Sequence, residues 1–362
     1  HSWAKPQSVM PAFLNFPSSS KIYKEPYGTV LIISPWNYPY QLAFVPLIAA
    51  IAAGNTAVVK PSELTPNTSN ITKEIIESIF EQKLVAVLEG GVETSTELLA
   101  QRWDYIFFTG SVQVGKIVAK AAAQFLTPVT LELGGKNPCI IDKTANIKLA
   151  AKRIVWGKFI NGGQTCIAPD YLLIHTSVKD KFIAHFKEEI ETAYGNNPEI
   201  SKDYPRIVKQ RNCDRLAIML KNENILIGGK TNREDNYIAP TLIDEPSLDS
   251  EVMKGEIFGP ISPVISYQAE EDIHKVISHF EKPLALYVFT NKKSFANKMI
   301  ANYSFGGGTI NDTTVHFANH NLPFGGVGES GIGAYHGKQT FDVFSHKKGV
   351  TKRYNWLDIP VR

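Results

Sequence analysis

The sequence predicts an α/β protein in which buried parallel strands alternate with helices in two successive series. Short apolar runs closed by turn residues indicate the strands, helical segments connect them, and the whole pattern starts again after Glu132. At 362 residues the chain is longer than one ordinary core accommodates, so two domains are expected. The 43% apolar and 20% charged residues are ordinary for a folded globular protein and argue against disorder or a repeat architecture.

The first series begins at Gly28 to Pro35, a continuous apolar run typical of a strand buried on both faces. A helix follows over Leu42 to Ala53, Gly54-Asn55 ends it, and Thr56 to Pro61 forms a second strand. These elements make a βαβ unit. The same pattern of apolar runs and turn residues predicts a helix near 67–79 and strands at 84–88 and 105–109. The last of these strands runs into Gly110 and a new helix.

The second series starts after Glu132, and we place the domain boundary near Leu131. Its predicted elements are a strand at 139–141, a helix at 147–159, a strand at 171–175, a charged helix at 179–194 and further elements past 256–260 and 285–290 to Gly306.

Two segments at opposite ends of the chain fit neither series. Pro11 to Glu25 and Phe341 to Lys352 carry alternating or aromatic residues compatible with strands. They predict either a protruding ribbon that pairs with another subunit, or an ordinary hairpin and a tail.

Charge and cysteine usage exclude several classes of function. A net charge of +3 with scattered Lys and Arg argues against nucleic acid as a partner. Three cysteines lack both the paired count of a disulfide framework and the spacing of a zinc site, so we expect a reducing cytoplasm and no metal. The longest apolar run, Phe44 to Val59, contains Pro46 and Gly54-Asn55 and is too short for a membrane anchor.

Cys166 is the candidate nucleophile because Gly162-Gly163 before it would let a substrate and the Cys166 backbone N–H converge on one oxygen. The alternative is a buried cysteine that acts as a small hydrophobe. Cys139 and Cys213 are assigned structural or incidental roles.

Two polar residues would complete such a site. Glu132 lies where a β-rich run opens into Gly134-Gly135, and its carboxylate could activate water, unless it forms an ion pair with Lys136. Asn37 follows Trp36 in a proline-bounded turn, and its amide could stabilise an oxyanion, unless it is only a turn residue.

Candidate nucleotide contacts are individually weak. Gly110 to Gly115 follows a strand and opens a helix, where N–H groups could face a phosphate. Lys60 and Glu63 could hold ribose hydroxyls or form an exposed ion pair. Glu256 and Phe258 could contact a ribose and a flat ring, or Phe258 could be a core residue in a turn.

Together these motifs resemble the NAD(P)-dependent aldehyde dehydrogenase superfamily in identity, order and spacing. The matching motifs are Pro35-Trp36-Asn37, Lys60-Pro61-Ser62-Glu63, Phe108-Thr109-Gly110-Ser111, Glu132-Leu133-Gly134-Gly135-Lys136, Gly163-Gln164-Thr165-Cys166 and Glu256-Ile257-Phe258-Gly259-Pro260. The segments 164–171, 322–328 and 335–338 are similar to the class 3 and fatty aldehyde branch. The resemblance covers nearly all of the chain.

The resemblance implies an aldehyde dehydrogenase-like fold with two Rossmann-like αβα domains and a small β oligomerisation ribbon. The expected ranges are 26–131 for the NAD-binding domain, 132–325 for the catalytic domain, and 6–25 with 336–353 for the ribbon. Members usually carry several dozen, mainly helical residues before the point where this chain begins, so we expect this N-terminal segment to be lacking. Members with a membrane anchor end in a hydrophobic tail, whereas residues 356–362 predict a soluble protein.

By the same resemblance, Cys166 attacks the aldehyde, Asn37 and the Cys166 N–H hold the oxyanion, and Glu132 activates the water that hydrolyses the thioester. The implied cofactor contacts are Trp36, Lys60, Glu63, Gly110, Ser111, Gly115, Leu133, Gly134, Glu256 and Phe258. Glu63 would repel a 2′-phosphate, so NAD is expected to be preferred and NADP to be acceptable.

The expected activity is oxidation of aliphatic or aromatic aldehydes to carboxylic acids by a homodimer. Two alternatives stay open from the sequence. One is a truncated homologue that binds nucleotide but is catalytically impaired, and the other is a thiol esterase that uses Cys166 and Asn37 without a cofactor.

Overall fold

The computed structural model describes residues 2–357 and divides into two compact units. Unit 1 contains the residues up to Phe108, residues 118–130 and the residues from Ala334 onward, and unit 2 contains residues 109–117 and 131–333. Of the C-terminal residues used for the prediction of a soluble protein, 358–362 lie outside the described part, as does His1.

Strands and helices are numbered in chain order. The strands are β1 (Gln7–Val9), β2 (Ser18–Pro26), β3 (Thr29–Ile33), β4 (Thr56–Lys60), β5 (Val85–Val87), β6 (Tyr105–Thr109), β7 (Val129–Glu132), β8 (Pro138–Ile141), β9 (Tyr171–His175), β10 (Asn224–Ile227), β11 (Thr231–Asn232), β12 (Tyr237–Ile238), β13 (Thr241–Asp244), β14 (Ile261–Tyr267), β15 (Ala285–Phe289), β16 (Gly307–Ile310), β17 (Gly331–Ile332) and β18 (Ser345–Arg353). The α-helices are α1 (Pro39–Ala52), α2 (Pro66–Ile79), α3 (Val92–Leu99), α4 (Val112–Ala123), α5 (Ile147–Phe159), α6 (Lys179–Tyr194), α7 (Gln210–Met219), α8 (Glu270–Ile277), α9 (Lys293–Asn302) and α10 (Lys338–Val343).

The α/β class is confirmed, and unit 1 contains the parallel strands β6, β3, β4 and β5 in that spatial order. Apolar side chains bury β3 on both faces, as its continuous apolar run predicted. Ile33 lies opposite Lys60, and the Ser34 N–H donates to the Lys60 carbonyl at 3.1 Å. The carboxyl ends of β3 and β4 therefore lie side by side.

The two end segments pair in unit 1. β2 lies between β1 and β18, and its antiparallel register with β18 runs from Ser18 opposite Arg353 to Pro26 opposite Ser345. The strand prediction is wrong at two places, because Phe13–Asn15 forms a 3₁₀ turn and Lys338–Val343 forms α10. The first difference has a cause in the sequence, because the prolines at 11 and 17 have no N–H for a ladder. The second comes from tertiary packing, because α10 buries Phe341.

Unit 2 is built on a seven-stranded sheet in the order β10, β13, β14, β9, β8, β15, β16. Its strands are parallel except for β10, which is an antiparallel edge strand. β8 and β9 are buried along nearly their whole length, and α7 and α8 contribute Leu216 and Ile273 to the apolar core. A further antiparallel pair joins β7 to β17, with Glu132 opposite Gly331.

No bounds were predicted for the helices α3, α7, α8 and α9. α3 and α7 have polar sequences in which the apolar side chains that pack, such as Leu98 and Leu216, are widely spaced. No helix in the described residues combines the length and apolar character that a membrane crossing requires.

Candidate active site

The four candidate residues of unit 1 lie at the carboxyl ends of β3 and β4. Trp36 and Asn37 are half-buried in the turn between β3 and α1. Lys60 ends β4 and is buried, and its Nζ lies 3.0 Å from an oxygen of the exposed Glu63. The ion pair between Lys60 and Glu63 is therefore present. Its ammonium group is shielded from water, so it is not the fully exposed ion pair of the alternative interpretation.

Glu132 ends β7 and is the most isolated carboxyl group of unit 2. Its side chain is buried, and neither carboxyl oxygen has a hydrogen-bond partner among residues 2–357. Burial raises the pKa of Glu132 well above its ordinary value. The alternative of an ion pair with Lys136 is wrong, because the Lys136 ammonium lies 2.7 Å from Asp170.

The Cys166 loop begins with a left-handed turn. Asn161 and Gly162 have φ angles of 52° and 63°, and Gly163 has a φ of 73°. A Cβ at Gly163 would come within 2.3 Å of the Gly259 carbonyl oxygen. The structure therefore requires this glycine for backbone conformation and close packing, a reason that differs from the predicted access for a ligand.

The structure brings the thiol of Cys166 near two carboxyl groups. Cys166 is half-buried, and burial raises the pKa of its thiol to about 12, helped by the charges of Glu256 and Glu132. The backbone N–H groups of Cys166 and Ile167 act in the opposite direction and lower this pKa. Three candidate residues far apart in the sequence thus share one electrostatic environment.

Glu256 lies against the glycine segment that follows Glu132. A Cβ at Gly134 would come within 2.1 Å of a Glu256 carboxyl oxygen, so only glycine fits there. Burial, followed by the charge of Asp170, raises the pKa of Glu256 to about 8, although the Gly135 N–H donates to its carboxylate. Its Oε1 atom is buried and has no hydrogen-bond partner in the described part of the chain. Phe258 is half-buried, with a φ of 48°.

The predicted phosphate-binding turn has mostly packing roles. The Gly110 N–H donates to the Glu132 carbonyl at 3.0 Å, and the Gly115 N–H donates to the Ser111 carbonyl at 2.8 Å. A Cβ at Gly115 would clash with the buried Leu133 side chain, at 2.6 Å. Ser111 is exposed at the start of α4.

Sequence reasoning missed the polar residues that connect the Cys166 loop to the Glu256 loop. Asp170 accepts a hydrogen bond from the Ile257 N–H at 2.9 Å, and Lys136 donates to the carbonyls of Val252 and Gly255 at 2.6 and 2.8 Å. Because parallel strands align their amino ends, polar residues that directly precede strands lie at the same edge of a sheet, and this position is the signal that could have found them. Asp170 precedes β9 in this way.

Lys158 was also missed. It lies on α5 with 1% of its surface exposed, and burial lowers the pKa of its ammonium to about 8. The charges of Asp170 and Glu256 act in the opposite direction. Nothing in the local sequence distinguishes this lysine from its exposed neighbours on the same helix.

Comparison with known proteins gives one consistent family. The aldehyde dehydrogenase family profile matches residues 8–350. A 4,4'-diaponeurosporen-aldehyde dehydrogenase of Staphylococcus aureus is 51% identical over 349 residues, which are 96% of this chain and 76% of the relative. Aldehyde dehydrogenase family 3 member A2 of Rattus norvegicus is 49% identical over 327 residues, 90% of this chain and 68% of the relative.

Solved structures agree. A substrate-bound state of Staphylococcus aureus AldH superposes with a TM-score of 0.97 at 49% identity, covering 99% of this chain and 79% of that one. A Mycobacterium tuberculosis aldehyde dehydrogenase complexed with NAD+ is 27% identical, with a TM-score of 0.86 and coverages of 95% and 72%. A Methanocaldococcus jannaschii glyceraldehyde-3-phosphate dehydrogenase complexed with NADP is 28% identical, with a TM-score of 0.87 and coverages of 97% and 77%. This chain belongs to the aldehyde dehydrogenase family, in its class 3 branch.

Proposed function

We propose that this chain oxidises aldehydes to carboxylic acids with NAD(P) as the hydride acceptor, through a covalent intermediate on Cys166. The observation that carries the proposal is the isolated carboxyl of Glu132, buried and without a hydrogen-bond partner among the described residues, in the environment of a half-buried thiol. A structural carboxyl would have partners, because leaving a buried polar group unpaired costs free energy.

The residues present fit a nicotinamide nucleotide. Glu256 offers a buried, unpartnered Oε1 atom that can accept a hydrogen bond from a ribose hydroxyl, and Gly134 lets this carboxyl group approach the backbone closely. In unit 1, Lys60 and Glu63 supply a donor and an acceptor at a strand end for the other ribose. We further propose that Trp36, Gly110, Ser111, Gly115, Leu133 and Phe258 shape this site. NAD(P)+, when bound, accepts the hydride that leaves the substrate carbon.

The thiol of Cys166 must lose its proton before it attacks. Because the pKa of this thiol is raised to about 12, proton loss needs help from a nearby base, and the candidate is Glu132, whose own pKa burial raises well above its ordinary value. The thiolate then forms a bond to the aldehyde carbon. We propose that the Cys166 N–H and the Asn37 amide donate to the oxygen that becomes negative.

Loss of hydride from the carbon leaves a thioester on Cys166. We propose that Glu132 first releases the thiol proton to solvent and then takes a proton from water, whose oxygen adds to the thioester carbon. The C–S bond then breaks, the carboxylic acid leaves, and the thiolate sulfur is regenerated. The raised pKa of Glu132 suits this role, because a carboxylate of ordinary pKa is a weak base at neutral pH.

The substrate class, the assembly and the cellular compartment can also be proposed. The class 3 relatives and the aldehyde named for the Staphylococcus aureus enzyme support an aldehyde substrate, which we propose is aliphatic or aromatic. The pairing of β2 with β18 supports a ribbon that docks on a second copy of the chain, giving a homodimer. The three cysteines are unpaired, which supports a reducing compartment such as the cytoplasm.

The test is aldehyde-dependent reduction of NAD+ measured at 340 nm, with NADP+ as a second cofactor. We expect activity in the wild-type chain and none in Cys166→Ala. Cys213→Ala is the matched control, since its sulfur is buried on α7 in the apolar core, where the thiol donates to the Tyr237 carbonyl at 3.8 Å. Equal activity in the Cys166 and Cys213 variants would refute the assignment, and ester hydrolysis independent of NAD+ would favour the esterase instead.

A further inference from the structure

One buried amide holds the Cys166 loop. Asn137 is 1% exposed, and its Nδ2 atom donates to the Cys166 carbonyl at 2.7 Å and to the Ala168 carbonyl at 3.0 Å. Its Oδ1 atom accepts from the Ala285 N–H at 2.8 Å, at the start of β15. The Asn137 carbonyl also accepts from the Asp170 N–H at 2.8 Å. Asn137 thereby attaches the loop to the amino ends of neighbouring strands.

The bond to the Cys166 carbonyl has a consequence for the sulfur. The carbonyl of Cys166 and the N–H of Ile167 belong to one planar trans peptide group, in which the two point in opposite directions. A donor that holds the carbonyl from one side therefore turns the N–H to the other side. The Ile167 N–H is one of the two backbone groups that stabilise the Cys166 thiolate.

We propose that Asn137 is a positioning residue for the nucleophile: its amide holds the Cys166 carbonyl, so that the Ile167 N–H points at the sulfur and stabilises the thiolate. This inference rests on the proposed role of Cys166 and adds a residue that controls its reactivity. A carboxamide suits the task because a single side chain both donates to the two loop carbonyls and accepts from the strand.

Tyr287 lies on β15 and also bonds to the Cys166 loop, so it provides a matched control. Its hydroxyl donates to the Ile167 carbonyl at 2.5 Å, which belongs to the next peptide group. The N–H of that group, from Ala168, already donates to the Thr165 carbonyl at 3.0 Å. Tyr287→Phe therefore removes one buried hydrogen bond from the loop, and one that the hydroxyl accepts from the Thr314 N–H, without releasing the peptide group that faces the sulfur.

The experiment measures alkylation of Cys166 by iodoacetamide, with the modified peptide quantified by mass spectrometry at pH 7, 8 and 9. The wild type, Asn137→Ser and Tyr287→Phe are compared. Loss of the Ile167 contact is expected to reduce the thiolate fraction about tenfold, because the lost bond favours the charged form. Since a more basic thiolate is also more nucleophilic, the rate constant should fall about three- to fourfold in Asn137→Ser.

Both variants should lose thermal stability, but only Asn137→Ser should lose alkylation rate. Equal slowing in the two variants, or an unchanged rate in a native Asn137→Ser, would overturn the proposal. If Asn137→Ser does not fold, Asn137→Asp keeps the shape and the bond from Ala285 and should react more slowly still, whereas a wild-type rate would refute the inference. Because alkylation needs neither aldehyde nor nucleotide, its outcome is distinct from a failure of dehydrogenase activity.

Discussion

Asp170→Asn removes the charge of a buried ion pair without changing the shape of the side chain. Lys136 and Asp170 are each 4% exposed in their side chains, and their charged atoms lie 2.7 Å apart. In the variant, the Lys136 ammonium keeps its hydrogen bonds to the Val252 and Gly255 carbonyls but loses its counter-ion. Removing one partner of a buried pair leaves an uncompensated charge, which costs roughly 3–5 kcal/mol of unfolding free energy.

The loss of unfolding free energy also has an upper limit, because Lys136 can release its proton and become neutral. Taking a lysine of ordinary pKa 10.5 to its neutral form costs at most about 5 kcal/mol at pH 7 and about 2 kcal/mol at pH 9. Burial already holds the folded pKa of Lys136 below its ordinary value in the wild type, and loss of the Asp170 charge, which raises this pKa, lowers it further. The stability deficit should therefore be full below the folded pKa of the variant and should shrink as pH rises toward the folded pKa of the wild type.

Equilibrium urea unfolding at pH 7 and pH 9 measures this deficit. Asp214→Asn is the matched control, since Asp214 pairs with Arg233 at 2.7 Å on the surface, where an ion pair contributes little to stability. A deficit of Asp170→Asn that matches the control, or one that grows between pH 7 and pH 9, would refute the reasoning.

Three further predictions follow from the buried charges and the close contacts. Glu132→Gln should be more stable than the wild type by a margin that widens from pH 5 to pH 8 in thermal scans. The raised folded pKa of Glu132 makes the wild type lose stability as pH rises above 4.5, so a constant margin would contradict this. Lys158→Met should raise the free energy of unfolding by up to about 3 kcal/mol at pH 7, and by less as pH approaches 10.5, because burial lowers the lysine pKa to about 8. A lower free energy of unfolding in urea would count against this prediction. Gly134→Ala should raise the KM for NAD+ roughly tenfold or more by displacing Glu256, whereas Gly255→Ala, with nothing within 4 Å of the added Cβ, should not.

Local sequence was sufficient to predict the strands and helices that alternate regularly along the chain. The apolar runs at β3, β4 and β6 predicted buried parallel strands because both faces of each strand must be apolar. At α10 the aromatic spacing suggested a strand, but burial of Phe341 against unit 1 selects a helical turn. Tertiary packing decided that case, and a period-2 pattern over a few residues does not contain that information.

The polar contacts of the site show the same limit. Lys136, four residues from Glu132, was the natural partner by proximity, yet the fold pairs Lys136 with Asp170. Asn137 was quoted only as part of a motif, and its bonds to residues 29, 31 and 148 positions away exist only because β8 lies between β9 and β15. Such contacts depend on strand order, which no local pattern specifies.

The central claim is that Cys166 carries the acyl group and that Glu132 is required for its release. Intact-protein and peptide mass spectrometry of Glu132→Gln, after incubation with an aldehyde and NAD+, tests this directly. We predict that the acyl adduct on the Cys166 peptide forms more slowly than in the wild type, because Glu132 no longer takes the thiol proton. The adduct should nevertheless accumulate to near one per chain, together with one equivalent of reduced nicotinamide, because its release requires Glu132. Unmodified Cys166 in a variant that still turns over, or an adduct on Cys139 or Cys213, would contradict the account.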